Sequence, residues 1–153
     1  MEEELDIIIR EAIQDDLPLI YNSWLKQYRE SPFSVGVVNS VYYSQHRKII
    51  DCLIERSVLR VACDAASPTK IYGWVCGEIY DPLVLHFIYV KKKYRKRGIG
   101  GMLLNEFGWK EVPHIITTHF MKHKRKKNKE ENNIIYNPYL LYIYMKEGKR
   151  NEA

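Results

Sequence analysis

"YVKKKYRKRGIGG", residues 89–101, changes character halfway along. An aromatic and β-branched start, reading as the end of a strand, runs into six basic residues and then three glycines within four positions. A helix N-terminus presents unpaired N–H groups and the positive end of the helix dipole, so it attracts anions. Glycine lets an anion reach the backbone and permits the φ/ψ values that such a turn requires. The stretch therefore predicts a strand end, a tight turn and a helix start built around a phosphate-bearing ligand.

The segments on either side fit that reading. Upstream, residues 58–63, 71–79 and 83–90 read as three strands, separated by "DAASPTK" and "YDP", the pattern of an antiparallel meander. Before them, residues 5–10 read as a short buried strand. Asp15 and Asp16 then offer an N-cap, with Pro18 tolerated in the first turn. Leu17, Ile20, Tyr21, Trp24, Leu25 and Tyr28 recur at helical spacing to about residue 30. "SPFSVGVVNS" is a loop by its Ser, Pro and Gly content, and a second helix over 41–55 turns Ile49, Ile50, Leu53 and Ile54 inward. Downstream, a helix from Gly98 carries Met102, Leu103, Leu104 and Phe107 and is closed by Pro113. Residues 115–120 and 140–145 complete the strands, and "KHKRKKNKEENN" between them has no apolar face. This order implies an α/β (α+β) fold with a mixed, mostly antiparallel sheet and helices on its faces.

The 153 residues suit a single domain, 1–153, and 46% hydrophobic residues suit a globular one. No apolar run approaches the ~20 residues that span a bilayer. "MEEELDIIIR" is acidic ahead of its apolar run, the reverse of a secretory signal, so a cytoplasmic location is expected. Cys52, Cys63 and Cys76 are too few and too far apart for a disulfide framework or a zinc knuckle and read as small buried hydrophobes. Residues 1–81 hold 8 Lys/Arg against 13 Asp/Glu, whereas residues 82–153 hold 16 against 6. Half of the basic residues fall in two blocks, 91–97 and 122–129, which points to a polyanionic ligand, a phosphorylated cofactor or a nucleic acid.

Three architectures place phosphates on a glycine turn. A Walker loop needs Gly-Lys-Ser/Thr, which is absent. A dinucleotide fingerprint needs Gly or Ala where Leu103 stands after Gly98 and Gly100. The third fits: Arg95-Lys96-Arg97-Gly98-Ile99-Gly100 resembles the Arg/Gln-x-x-Gly-x-Gly/Ala pyrophosphate signature of the GNAT superfamily of N-acetyltransferases. "LHFIYV" supplies the strand before it and "YRKRGIGGMLL" the turn and helix. The likeness runs in order over about residues 5–120 and fades beyond, where the charged stretch 121–135 replaces the family's fourth helix.

The resemblance implies a GNAT-like sheet with a splayed cleft between its fourth and fifth strands, and an acetyl-CoA co-substrate. By motif position, Arg95, Lys96, Arg97, Gly98, Ile99 and Gly100, with Gly101 adjacent, would hold the pyrophosphate. Backbone near Tyr89 and Val90 would pair with the pantetheine arm and polarise the thioester carbonyl. Acetyl transfer needs a base to take the amine's proton. No carboxylate lies between Leu83 and Val90, but His86 does, with an ordinary pKa near ~6.5 suited to the task. Glu78 and Asp81 flank the preceding turn as alternatives, and a hydrogen-bonded core histidine is the structural reading of His86. The resemblance also implies a tyrosine acid for the departing thiolate, placed shortly before a last strand. Tyr136 fits that spacing better than Tyr139.

Other features compete. His119 and His123 lie four apart but straddle a strand end with no third ligand near in sequence, so no metal is expected. The block 122–129, with Lys122, Lys124, Arg125, Lys126, Lys127 and Lys129, reads as a solvated loop or a nucleic-acid contact. The latter matters because some phage GNAT-fold proteins, the Mom-type adenine modifiers, act on DNA bases. The chain's Lys/Ile/Asn/Tyr-rich sequence suits a phage or AT-rich bacterial gene, which would place it in the host cytoplasm. The sequence thus predicts an acetyl-CoA-dependent N-acetyltransferase of a small-molecule or protein amine, a monomer or homodimer without membrane contact. The alternatives are a nucleic-acid-directed GNAT-fold protein and a CoA-binding module without chemistry.

Overall fold

A computed structural model describes residues 4–121 and 133–151. Among these residues, six strands form one sheet in sequential order: β1 (Ile7–Glu11), β2 (Val58–Asp64), β3 (Ile71–Glu78), β4 (Leu83–Val90), β5 (His114–Thr117) and β6 (Asn133–Tyr136). β1 to β4 pair antiparallel, and β4–β5 and β5–β6 pair parallel. This is the mixed, mostly antiparallel sheet that the sequence predicts. Among the described residues, no helix is long and apolar enough to cross a membrane.

The helices divide between the two faces. α1 (Leu17–Arg29), α2 (Asn39–Arg56) and α4 (Leu140–Asn151) cover one core, centred on Ile20, Trp24, Ile50, Leu53, Trp74 and Phe87. The short α3 (Ile99–Asn105) covers the other, with Ile99, Leu103 and Phe107 packed on Tyr72, Val75, Leu83 and Leu85. Trp24 is fully buried between Trp74, at 5.2 Å, and Phe87, stacked at 5.5 Å. Truncating such an aromatic to alanine costs about 3–5 kcal/mol.

A bulge in β4 shapes the site. Cys76 opposes Phe87 and Gly77 opposes Leu85, so His86 is the extra residue. Before the bulge, Leu83 and Leu85 face the α3 side, whereas beyond it Ile88 and Val90 do. His86 and Phe87 consequently both turn to the α1/α2/α4 face, His86 against Tyr144 and Phe87 against Trp24. A bulge re-aims a side chain in this way by breaking the two-residue alternation of the strand.

The end of the chain departs from the sequence reading. Residues 140–145, expected as a strand, open α4, and the last strand is β6. β6 occupies 133–136, so its first residues come from the stretch expected to be solvated. "LLYIYM" is apolar throughout, and such a run fits either period. Burial separates the two: Leu140, Leu141 and Tyr144 pack on the core, and Tyr142 and Ile143 are exposed. Contacts at i, i+1 and i+4 are those of a helix face. The basic block 122–129 lies outside the described residues.

Candidate active site

The glycine turn lies between β4 and α3. Lys96 and Gly98 both take left-handed conformations, with φ of 66° and 81°. A non-glycine residue there is uncommon and strained, a feature that concentrates at functional turns. A Cβ added at Gly98 or Gly101 would meet nothing within 4 Å, and one at Gly100 only Ile88 Cδ1 at 4.0 Å. The glycines are therefore not demanded by close packing within the protein. They leave bare backbone facing open space, room that a phosphate can use.

Beside the turn, the sheet opens. β4 and β5 pair only through Leu83, Leu85 and their neighbour Val84. The last bond between them runs from Thr118 N–H to the Leu85 carbonyl, at 3.3 Å. Past that point β4 continues for five residues to Val90. Lys91 N–H donates inward to the Tyr72 carbonyl at 2.9 Å. Antiparallel alternation then turns Tyr89 inward as well and leaves the backbone groups of Ile88 and Val90 on the open edge. Of the two residues singled out in the sequence, Val90 presents its backbone to the cleft. Tyr89 instead packs its ring on Trp74, with the Arg95 guanidinium 5.9 Å from its centre. Arg95 Nε donates to the Val90 carbonyl at 2.8 Å, so one motif side chain already touches that edge.

A chain of buried polar groups crosses the α1/α2/α4 face. Glu78 Oε1 accepts from Arg56 Nε at 2.8 Å, and its Oε2 lies 2.6 Å from His86 Nε2. His86 Nδ1 is 2.7 Å from Thr118 Oγ1, which is 3.2 Å from His119 Nδ1. His119 Nε2 in turn is 2.8 Å from His46 Nε2. Glu78, His86, Thr118 and His119 are at most 2% exposed, and His46 is 9% exposed. Thr118 ties the chain to the cleft, because its backbone makes the final β4–β5 bond.

Electrostatics set the protonation of this chain. Burial pushes the Glu78 carboxyl up, but hydrogen bonds from His86 and Arg56 outweigh it and hold Glu78 below its usual range. Burial lowers His86, with Glu78 opposing it only in part. Burial also takes His46 down to about 4, and His119 well below its usual value with the charges of His46 and His86 adding to the effect. At neutral pH the carboxylate is ionised and the three imidazoles are neutral.

His86 and Glu78, picked from the sequence, thus stand in direct contact, whereas Asp81 sits exposed at the β3–β4 turn. Both ring nitrogens of His86 are engaged, so it reaches a substrate only through its partners. His46, Arg56 and Thr118 escaped the sequence reading. The sequence sets His119 beside His123, but in the fold its partners are Thr118 and His46, and His123 lies outside the described residues.

Tyr136 ends β6 and packs on Phe33 at 5.2 Å and Phe120 at 6.0 Å, beneath the α1–α2 loop. Burial and neighbouring Tyr28 raise its pKa, so its hydroxyl keeps its proton. Tyr139 is 72% exposed and stacks on Tyr142, outside this cluster. A helix, not the expected strand, follows Tyr136, which closes β6.

An α/β sheet with a strand–glycine-turn–helix unit beside a parting pair of parallel strands is the GNAT-like arrangement that the sequence resemblance implies. The model of the acetyltransferase (GNAT) family matches residues 17–107, and the chain belongs to that family. Solved structures agree in fold. A putative acetyl transferase from Pyrococcus furiosus is 17% identical, with 92% of this chain and 91% of that one covered at a TM-score of 0.53. A possible acetyltransferase from Clostridium difficile is 20% identical over 80% of this chain and 83% of that one, TM-score 0.50. A Corynebacterium glutamicum protein described as a histone acetyltransferase and related acetyltransferase is 18% identical, covering 67% and 70%, TM-score 0.52. A comparison with curated proteins gives no match.

Proposed function

We propose that the protein is an N-acetyltransferase that moves the acetyl group of acetyl-CoA to an amine of a small molecule or a protein. The observation that carries this reading is the junction of the open β4 edge with the bare glycine turn, in a chain of the acetyltransferase family. The turn Arg95–Lys96–Arg97–Gly98–Ile99–Gly100–Gly101 takes the pyrophosphate, through backbone N–H groups and basic side chains. Val90, next to Tyr89, offers backbone partners to the pantetheine arm, with Arg95 giving up the Val90 carbonyl as the arm arrives.

In the transfer, the amine nitrogen attacks the thioester carbon, a C–N bond forms and the C–S bond breaks. The amine loses one proton to the protein, and the sulfur leaves with the bonding pair and takes up one proton. The Glu78–His86 pair is the base, because its carboxylate is anionic and its imidazole neutral at the working pH. Tyr136, still protonated, is the acid.

Isothermal titration with CoA, followed by acetyl-CoA turnover against a panel of primary amines, tests this reading. Micromolar CoA binding and amine-dependent thiol release are expected; absence of CoA binding by the folded protein would overturn it. CoA binding without turnover on any amine would favour a module that lacks the chemistry. Tyr136→Phe should lower kcat about 10-fold or more at little cost in KM, whereas Tyr139→Phe should leave both unchanged. The reverse result removes Tyr136 from the acid role.

A further inference from the structure

Five side chains separated by up to 73 residues in sequence form one unbranched line of hydrogen bonds, and a single ion at its end fixes every proton in it. Glu78 is an ionised carboxylate and can only accept, so His86 must carry its proton on Nε2. Neutral His86 then has a bare Nδ1, which accepts from the Thr118 hydroxyl. With its one hydrogen spent, Thr118 Oγ1 accepts from His119, which makes His119 the Nδ1–H tautomer. The bare Nε2 of His119 accepts from Nε2–H of His46. Every donor in the line points the same way, towards Glu78. Arg56 holds the far oxygen of Glu78 and is itself held by Glu147 at 3.2 Å, which keeps the terminus anionic.

We propose that His46, His119, Thr118, His86 and Glu78 form a one-directional proton relay, with the acceptor amine's proton received at His46 Nδ1 and stored at the His86–Glu78 pair. This deepens the acetyltransferase reading and rests on it. The hops balance: His46 gains a proton on Nδ1 and passes its Nε2 proton to His119 Nε2. His119 passes its Nδ1 proton to Thr118, Thr118 passes its own to His86 Nδ1, and an imidazolium is left beside the carboxylate. The contact of His46 with His119 uses Nε2, which leaves Nδ1 as the end of the line at which a proton enters. His46 sits between Tyr28, at 5.0 Å, and Tyr42, at 5.4 Å, and Tyr28 adjoins Tyr136. The line also passes through Thr118 at the apex of the β4–β5 cleft. Return of the proton by the same path resets every tautomer without a ring flip. Thr118 and His119 are positioning residues here, since they act through their neighbours.

Long-range ¹H–¹⁵N correlation on histidine-labelled protein tests the line without substrate. His46 and His86 are expected as Nε2–H and His119 as Nδ1–H, and an Nε2–H state at His119 would overturn the proposal. Glu78→Gln lets the side-chain amide donate to His86, so His119 should lose its pure Nδ1–H signature; an unchanged signature means the carboxylate does not set the polarity. With an amine that the wild type acetylates, Thr118→Val should lower kcat at least 10-fold with the CoA Kd within 2-fold. Thr118→Ser should restore kcat and the solvent isotope effect, and a Thr118→Val enzyme with unchanged kcat would also overturn the relay. Correct tautomers without any CoA binding would sink the acetyltransferase reading and leave the hydrogen-bond polarity standing.

Discussion

Acidification from pH 7 to 4.5 will lower the melting temperature by at least roughly 5–10 °C, the share of His46 alone at the ~2–4 °C per kcal/mol usual for this chain length. The cause is proton uptake by the unfolded chain. In the folded protein His46 titrates at about 4 because burial disfavours its charged form, against an ordinary value near 6.5. Above pH 6.5 both states are neutral at this site and it contributes nothing. Below 6.5 the unfolded chain binds a proton that the folded chain refuses, so stability falls by about 1.4 kcal/mol per pH unit until pH 4. His119 acts in the same direction, and the two cannot readily charge together at 2.8 Å. His86 adds less, because the anionic Glu78 welcomes its second proton. The other groups facing this line are Arg56 and Tyr144 at the Glu78 end and Tyr28 and Tyr42 at the His46 end. The depressed carboxyls of Glu78 and Asp16 stabilise the fold above their unfolded pKa values near ~4 and are lost only below that range, so they do not offset the loss. Calorimetric scans at several pH values check the slope. His46→Gln keeps a donor towards His119 and removes one titration, so it should flatten the slope between pH 6.5 and 4.5. A melting temperature constant over that range would show that the histidines are not held neutral.

The features that the sequence made legible are local ones. Residues 89–101 carry their own signal, because the glycines, the arginines and the strand that feeds them are contiguous. The meander was legible from "DAASPTK" and "YDP", and β2, β3 and β4 fall within a residue or two of the expected bounds. The relay was not, since His46 and Thr118 come from α2 and from the end of β5 and meet only in the folded chain. A polar residue within an apolar periodic segment is the signal that could have found them: His46 recurs with Tyr42, Ile50 and Leu53 on the buried face of α2. The bulge at His86 has no signature in "LVLHFIYV", which reads equally well as an unbroken buried strand. β6 and α4 differ from the sequence expectation for a related reason. "NIIY" is too short, and "LLYIYM" too uniformly apolar, for periodicity to decide before burial is known.

Gly100→Val will abolish measurable CoA binding, at least a 100-fold rise in Kd, in a protein that still folds. The two parts of this expectation rest on one geometric fact. A Cβ at Gly100 meets nothing closer than Ile88 Cδ1 at 4.0 Å, so valine disturbs no packed atom of the chain. Gly100 lies within α3 with no positive φ, so the backbone accepts an L side chain, and valine is no worse a helix former than glycine. The space that valine's methyl groups would fill is the space the pyrophosphate needs to reach the backbone N–H groups. Gly98→Val is the poorer probe, because φ of 81° strains any β-branched residue whatever the room around it. Arg95→Ala should raise the Kd less, by about 10-fold, which corresponds to the lower end of the ~1.5–3 kcal/mol that one charge-assisted contact contributes. The loss is moderated further because Arg95 occupies the Val90 carbonyl in the free protein, and its removal clears that acceptor for the pantetheine arm. Titration calorimetry with CoA, alongside circular dichroism of each variant, separates these effects. Unchanged affinity in a folded Gly100→Val protein would move the pyrophosphate away from this turn and, with it, the whole assignment of the β4 edge.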